Sequence, residues 1–343
     1  MPKEITHWWL SLEVMAELQT GPQREPRCPL LAGLLGRNRN LFLLGSVGPD
    51  FLFYYLHGPE NRRFRDAAMV LHGADGSDTL EILAKTADVY LAALENHILV
   101  IGEHGFNLAE AIWAFLFGYA CHVVADSVFH PLVLYCAGKG GRDALYDHYF
   151  FESVLDLYVV DVKKPPNLPL RLADLTAGME IDRASFLKLL GFVSFAGTDY
   201  SPGALKQCLR RYEFVQRALW GFWGRTAARV IGTLFPSMRH FIPSFYQRAY
   251  HRFTGVFDKT FAYRNPVTGI RYEHSVEDLR REVVRQACAI AVVFENVLAD
   301  PSGDPVMSLS KIHGPNLETG LYGDNAKKIV YTIPGGMRGI FEA

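Results

Sequence analysis

The chain has 343 residues, with 35 Lys and Arg against 36 Asp and Glu, a formal net charge of −1, and 49% apolar residues. At about 100–200 residues per domain this length allows one large domain or two to three ordinary ones. The balance of charge and apolarity excludes a wholly disordered chain and a polycationic nucleic-acid coat. The most apolar stretch, residues 111–138, is interrupted by His122, Asp126 and His130, short of the roughly 18 uninterrupted apolar residues of a spanning helix, so no transmembrane segment is expected. The first residues, Met1-Pro2-Lys3-Glu4-Ile5-Thr6-His7, lead into a segment carrying Glu13 and Glu17 and lacking the apolar core of a secretory signal, so the expected location is cytoplasmic. Five cysteines, Cys28, Cys121, Cys136, Cys208 and Cys288, are odd in number and far apart, and read as small core residues in a reducing compartment.

Taken in chain order, the apolar spacing is helical almost throughout. Thr6 is a candidate N-cap for a helix over 8–18, on which Trp8, Leu12 and Met15 recur at four and three. Residues 21–29 form a loop rich in proline and charge, and the turn Gly45 to Asp50 precedes an aromatic run over 51–55. Helices are predicted over 79–101, 108–129, 144–159, 183–192, 202–234, 243–261 and 276–298. Only 328–333, Lys-Ile-Val-Tyr-Thr-Ile, reads as extended, within a Gly/Pro-rich tail from about residue 300 that could form an irregular strap or short strands. The expected fold is all-α, with one helical domain over 1–300 and a tail over 301–343.

The segment His122-x3-Asp126-x3-His130-Pro131 stands out. Scattering 12 histidines and 36 acids over 343 positions at random gives such a triple about 0.04 times. Each four-residue step on a helix turns only about 40°, so the three side chains share one stripe that is about 12 Å long. That is too far for both histidines to reach one zinc ion at about 2.0–2.2 Å, whereas Asp126 reaches both neighbours. The spacing therefore predicts a multinuclear site with a shared central carboxylate. Pro131 disfavours helical geometry at His130, which places this histidine at the end of its helix. His148 and Glu152 are also one turn apart, on an apolar helix where an unpaired acid would be costly. His274 with Asp278 has the same spacing and reads as a solvated helix start.

These residues resemble the zinc-dependent phospholipase C family, including the metal domain of glycosylphosphatidylinositol phospholipase D, and more distantly the single-strand-specific zinc nucleases. Upstream, Ile5-Thr6-His7-Trp8, Gly48-Pro49-Asp50 and Val70-Leu71-His72-Gly73 fit in order, and Asn265-Pro266-x2-Gly269 is similar to a turn in the family's C-terminal part. The resemblance implies one zinc on Asp50, His72, His122 and Asp126, a second on His130, His148 and Glu152, and a third on His7 and Asp126. The secreted bacterial members complete the third site with an N-terminal tryptophan. Here Trp8 follows the histidine, so two or three ions are expected. The four-residue gap from Asp126 to His130 follows the phospholipase D branch rather than the six of the bacterial enzymes.

Such a site suits phosphodiester hydrolysis, in which cations neutralise phosphate oxygens and acidify a bound water. Asp50 is the favoured proton acceptor, with Glu152 or Asp126 as rivals. His and carboxylate ligands also suit Mn²⁺ or Fe²⁺. His57, His97, His104, His240, His251 and His313 lack a partner at ligand spacing and read as surface or core residues.

Residues 203–264 hold eleven Lys/Arg against Glu213 and Asp258, interleaved with fourteen aromatics. The segment suits an anionic membrane surface or, less well, nucleic acid, and its plain alternative is a helix pair with aromatics inside and arginines outside. Three functions follow: a hydrolase of phospholipid or a related phosphodiester, a nuclease or nucleotide phosphodiesterase on the same site, and a silent metal-stabilised binding protein.

Overall fold

The computed structural model describes residues 3–20, 28–95, 108–138, 140–195, 200–300, 303–323 and 329–333. The fold is all-α. Its helices are α1 (Glu4–Thr20), α2 (Pro29–Arg37), α3 (Arg39–Gly45), α4 (Asn61–Leu71), α5 (Glu81–Glu95), α6 (Leu108–Ala137), α7 (Gly141–Tyr158), α8 (Leu172–Ala177), α9 (Arg183–Phe195), α10 (Pro202–Trp220), α11 (Phe222–Leu234), α12 (Val276–Ala299) and α13 (Pro305–Leu309). Strands β1 (Phe261–Arg264) and β2 (Arg271–His274) form an antiparallel pair, with Phe261 opposite His274 and Arg264 opposite Arg271.

Several elements differ from the sequence expectation. The predicted helix over 202–234 breaks at Gly221, whose backbone is extended, leaving α10 and α11. The stretch over 243–261 is not α-helical: 3₁₀ turns cover Pro236–Ser244 and Arg248–Asp258, and residue 261 opens β1. Residues 329–333 are not a strand, and residue 328 lies outside the described residues. So do 96–101 of the helix predicted over 79–101 and most of the loop over 21–29. Thr6 is not a cap but lies inside α1, where its amide and hydroxyl both donate to Asp156 Oδ1, at 2.9 and 2.6 Å. The cap of α12 is Ser275, which exchanges hydrogen bonds with Asp278 in a capping box, while His274 faces the Tyr263 hydroxyl.

The core is built around α6. Over 109–137 this helix is long and apolar enough to cross a membrane, but almost all of it is buried inside the protein, as in the central helix of a large helical domain. α1 packs against α2, α6, α7 and α12, burying Trp8 and Trp9, and the Trp8 indole donates to Leu43 O at 3.2 Å. The five cysteines are buried and unbridged, as expected.

α3 crosses α6 at two glycines. A Cβ on Gly118 would stand 2.1 Å from Phe42 O, and one on Gly45 would stand 2.2 Å from Phe115 O. The two backbones therefore touch, and the turn that follows α3 is delivered one helical turn from His122. Gly118→Ala is expected to force the helices apart, at a cost of about 1–3 kcal/mol. Thermal unfolding of the variant checks this, and an unchanged midpoint would contradict the close crossing.

Candidate metal centre

The 3₁₀ turn Pro49–Tyr54 after α3 carries Asp50, the end of α4 carries His72, α6 carries His122, Asp126 and His130, and α1 brings His7 from the opposite side. Asp50 Oδ1 lies 3.2 Å from His72 Nε2 and 4.0 Å from His122 Nε2. Asp126 Oδ2 lies 3.3 Å from His122 Nε2, and Asp126 Oδ1 lies 3.2 Å from His7 Nε2. The His7 and His122 rings stack with centroids 4.3 Å apart. The central carboxylate is thus shared between imidazoles from two helices: His122 on its own helix, as the spacing predicted, and His7 on α1, which only the resemblance implied.

The second cluster joins α6 to α7. Glu152 Oε1 lies 2.8 Å from His148 Nε2 and 4.0 Å from His130 Nε2. His130 Nδ1 is 3.9 Å from Asp126 Oδ2, so the two clusters adjoin. All eight residues singled out in the sequence therefore meet in one interior region. Among the described residues, three groups have ligand atoms that could hold a metal ion: His7 with Asp50 and His122, His72 with His122 and Asp126, and His130 with His148 and Glu152.

Donors held about 2.1 Å from a tetrahedral zinc lie about 3.4 Å from one another, and the spacings above bracket that value. The donor atoms also lack other work. Both nitrogens of His7, Nε2 of His122 and of His130, and both oxygens of Asp126 are buried without an aligned hydrogen-bond partner. Folded proteins rarely leave such groups unsatisfied, so this donor set fits a cation. Burial pushes His130 down to about 3 against the pull of Asp126, which keeps the imidazole neutral, the form that binds metal. Burial raises the Asp126 carboxyl, but His130 and His122 outweigh it and hold it well below the usual carboxylate range. Glu152 is likewise raised by burial and brought down to about 2, chiefly by His148.

A family model described as zinc dependent phospholipase C matches residues 6–191, more than half of the chain. The chain belongs to the zinc dependent phospholipase C family. Comparisons with curated proteins and with solved structures found no match.

The site draws on backbone groups that sequence reasoning missed. The Nδ1 atoms of His72, His122 and His130 donate to the carbonyls of Ala68, Ser46 and Leu317, at 2.7, 2.9 and 2.7 Å. A carbonyl only accepts, so each Nδ1 carries the proton and each Nε2 lone pair faces the cluster. Leu317 lies far beyond the matched residues and also donates its amide to His72 O, at 3.1 Å, so one residue touches the supports of both clusters. Asn316 pins this segment: its side-chain nitrogen donates to Gly73 O at 2.6 Å, and its oxygen accepts from the amides of Glu318 and Thr319. Pro131 does not end α6, which continues to Ala137, so His130 lies within the helix rather than at its terminus. The proline's cost is the missing hydrogen bond to Ser127 O, while the surrounding core holds the helix in place.

The other described histidines stay outside the centre. His57 meets Arg211, His251 pairs with Asp161, and His313 faces Asp78 at 2.6 Å. His240 contacts the Phe241 ring, and His97 and His104 lie outside the described residues.

A second polar group lies beside the centre between α1 and α7. Asp156 is fully buried and accepts from Thr6 and from the Tyr246 hydroxyl, the latter at 2.6 Å. Lys3 donates to Ser153 Oγ at 2.6 Å and to Ser244 O. Burial first, and then Asp156, raise Glu4 to about 7 from its ordinary 4.5, and burial lowers Lys3 to about 8.

Two predictions follow from this arrangement. Asn316→Ala should loosen the Leu317 contacts and weaken retention of a metal ion by about 10–100-fold, measured by competition with a chromogenic chelator. Glu4 binds its proton more tightly folded than unfolded, so between about pH 4.5 and 7 stability falls as pH rises. At about 1.4 kcal/mol per pH unit the full penalty is on the order of 3 kcal/mol. Glu4→Gln should therefore gain stability over the native chain from pH 5 to 8 in denaturant melts. Parallel profiles for the two proteins would refute this assignment.

Proposed function

We propose that the protein hydrolyses a phosphodiester bond in the manner of a phospholipase C, on a phospholipid or a related phosphodiester. Asp50, His72, His122 and Asp126 would hold one zinc ion, and His130, His148 and Glu152 a second. His7, facing the far oxygen of Asp126, would take part in a third. Cations bound here would neutralise phosphate oxygens and lower the pKa of a water to near 7.

The chain's own contribution is orientation and proton transfer. Backbone carbonyls behind three imidazoles aim their Nε2 atoms inward. Asp50 is the proton acceptor in this reading. Its Oδ1 faces His72 and His122, whereas Oδ2 has no hydrogen bond or ion pair among the described residues. Asp126 suits the role less well, because both its oxygens face imidazoles. Glu152 suits it less well too, because His148 engages its carboxylate at 2.8 Å. The observation that carries the reading is the convergence of histidines and acids from five separate parts of the chain on one buried region around Asp126.

The test is metal content together with turnover. The purified chain should carry at least two zinc ions, with Mn²⁺ or Fe²⁺ as candidate replacements on reconstitution. Asp126→Ala should lose metal and cut hydrolysis of bis-p-nitrophenyl phosphate or short-chain phosphatidylcholine by more than about a hundredfold, the upper end of what changes behind the ligands cost. Fewer than two ions per chain, or equal turnover by variant and native chain, would sink the proposal.

A further inference from the structure

α11 is built inside out for a helix of a water-soluble domain. The residues it buries are small, Ala228 and Gly232, one turn apart, and they seat against the 3₁₀ turn Pro236–Ser244, where Gly232 abuts Ile242. Its large apolar residues point the other way. Trp223, Val230 and Leu234, with Ala227 between them, recur at four, three and four, on a stripe about 150° around the axis from the buried pair. Trp223 is 80% exposed and Leu234 67%, and Phe235 continues the surface. The aromatics of this segment are therefore not all core residues, as its plain alternative required. Contiguous apolar exposure of this kind marks an interaction surface.

The charge beside the stripe selects the partner. Arg229 on α11 and Arg239 on the following turn are exposed, and neither pairs with a carboxylate among the described residues. Aliphatic side chains such as Val230 and Leu234 have no use on a nucleic-acid backbone. An apolar stripe flanked by unpaired cations matches the two-part chemistry of a bilayer interface, acyl boundary and anionic headgroups. The face is firmly mounted. Arg225 donates to Trp220 O and Tyr246 O, Arg239 donates to Gly232 O, and Tyr246 is itself tied to buried Asp156. It also adjoins the second cluster. Ser153 of α7 donates to Pro243 O, and Tyr149, next to His148, stacks on Phe241 with centroids 6.1 Å apart.

We propose that the α11 stripe and its flanking arginines dock the protein on an anionic lipid bilayer, setting the His148 side of the centre toward the headgroups. This rests on the phospholipid reading of the site for its purpose, but binding is measured without turnover. The face lies outside the residues matched by the family model, so it belongs to this chain rather than to that shared region.

The experiment is sedimentation of the full, metal-loaded chain with vesicles of equal parts phosphatidylcholine and phosphatidylserine, against phosphatidylcholine alone. The native chain should favour the anionic vesicles and release as salt rises. W223S/L234S should weaken partition by at least about tenfold while retaining its melting curve. W223F should still bind but lose the blue shift in tryptophan emission, because the other four tryptophans lie away from the stripe. Equal vesicle binding by W223S/L234S and the native chain would overturn the proposal. So would a native dimer that W223S/L234S dissolves, without vesicle binding by either, because the face would then join two copies. Turnover of bis-p-nitrophenyl phosphate separates the two readings: if W223S/L234S loses vesicle binding while even the native chain is inert, the docking face stands and the hydrolase reading falls.

Discussion

Three buried imidazoles each give their Nδ1 proton to a backbone carbonyl, and most of the centre's architecture serves to bring those carbonyls into place. The acceptors come from the last turn of α4, from the residue after α3, and from a segment almost two hundred residues downstream of the nearest α6 histidine. Each bond selects one tautomer and so presents the Nε2 lone pair inward. Fixing three tautomers by backbone rather than by side chains places the demand on the fold itself. The glycine crossing of α3 on α6 sets Ser46 O, the end of α4 sets Ala68 O, and the Asn316 turn sets Leu317 O.

Two fully buried aspartates show how differently such groups can be treated. Asp156 accepts from a backbone amide and two hydroxyls, so its burial is compensated within the chain. Asp126, equally buried, has neither oxygen in an aligned hydrogen bond and is surrounded by imidazoles. Burying an uncompensated carboxylate costs several kcal/mol, and a cation at its oxygens offsets that cost. The same comparison separates a side chain that ties α1 to α7 from one kept available for a ligand. Neighbouring Glu4 takes a third course and holds a proton more tightly than an exposed acid would.

Much of this was legible in the sequence where one helix carried the signal. His122, Asp126 and His130 lie on a single α-helix, and His148 with Glu152 on another, so spacing alone grouped them on shared faces, although Pro131 misled about where the first helix ends. His7, Asp50 and His72 come from separate elements and were reached only through the family resemblance, since no local period links them. The carbonyls behind the imidazoles carry no residue signature at all, because every residue has one. Asn316 and Gly320, which bracket a tight turn, are residue types that could have marked the Leu317 segment as ordered, but the sequence reading took the tail as a whole and passed over them. Over 243–261, apolar spacings of three and four suit 3₁₀ turns as well as an α-helix. Over 222–234 the predicted helix is present, as α11, though separated from α10 at Gly221, and periodicity does not say which side faces the protein. That depends on what packs against it, and only Ala228 and Gly232 admit the neighbouring 3₁₀ turn closely enough.

Pro131 shows how one residue can be read correctly for its local chemistry and still mislead about the fold. It lacks the amide that would bond Ser127 O, and that loss argues for a helix end. In the folded chain α6 runs on for another six residues, and the exposed carbonyl becomes a place of close approach. Gly320, with φ of +68°, passes so near that a Cβ there would stand 2.6 Å from Ser127 O and 3.4 Å from the Pro131 ring. Gly320 N donates to Asn316 O and Asn316 N to Leu321 O, closing the turn whose Leu317 carbonyl holds His130. The proline and the glycine are thus complementary: one leaves Ser127 O without its helical partner, and the other lets the downstream backbone come close to that carbonyl. His130 keeps its place on the helical stripe with Asp126 because the helix continues, and gains its fixed tautomer because this turn can dock beside it.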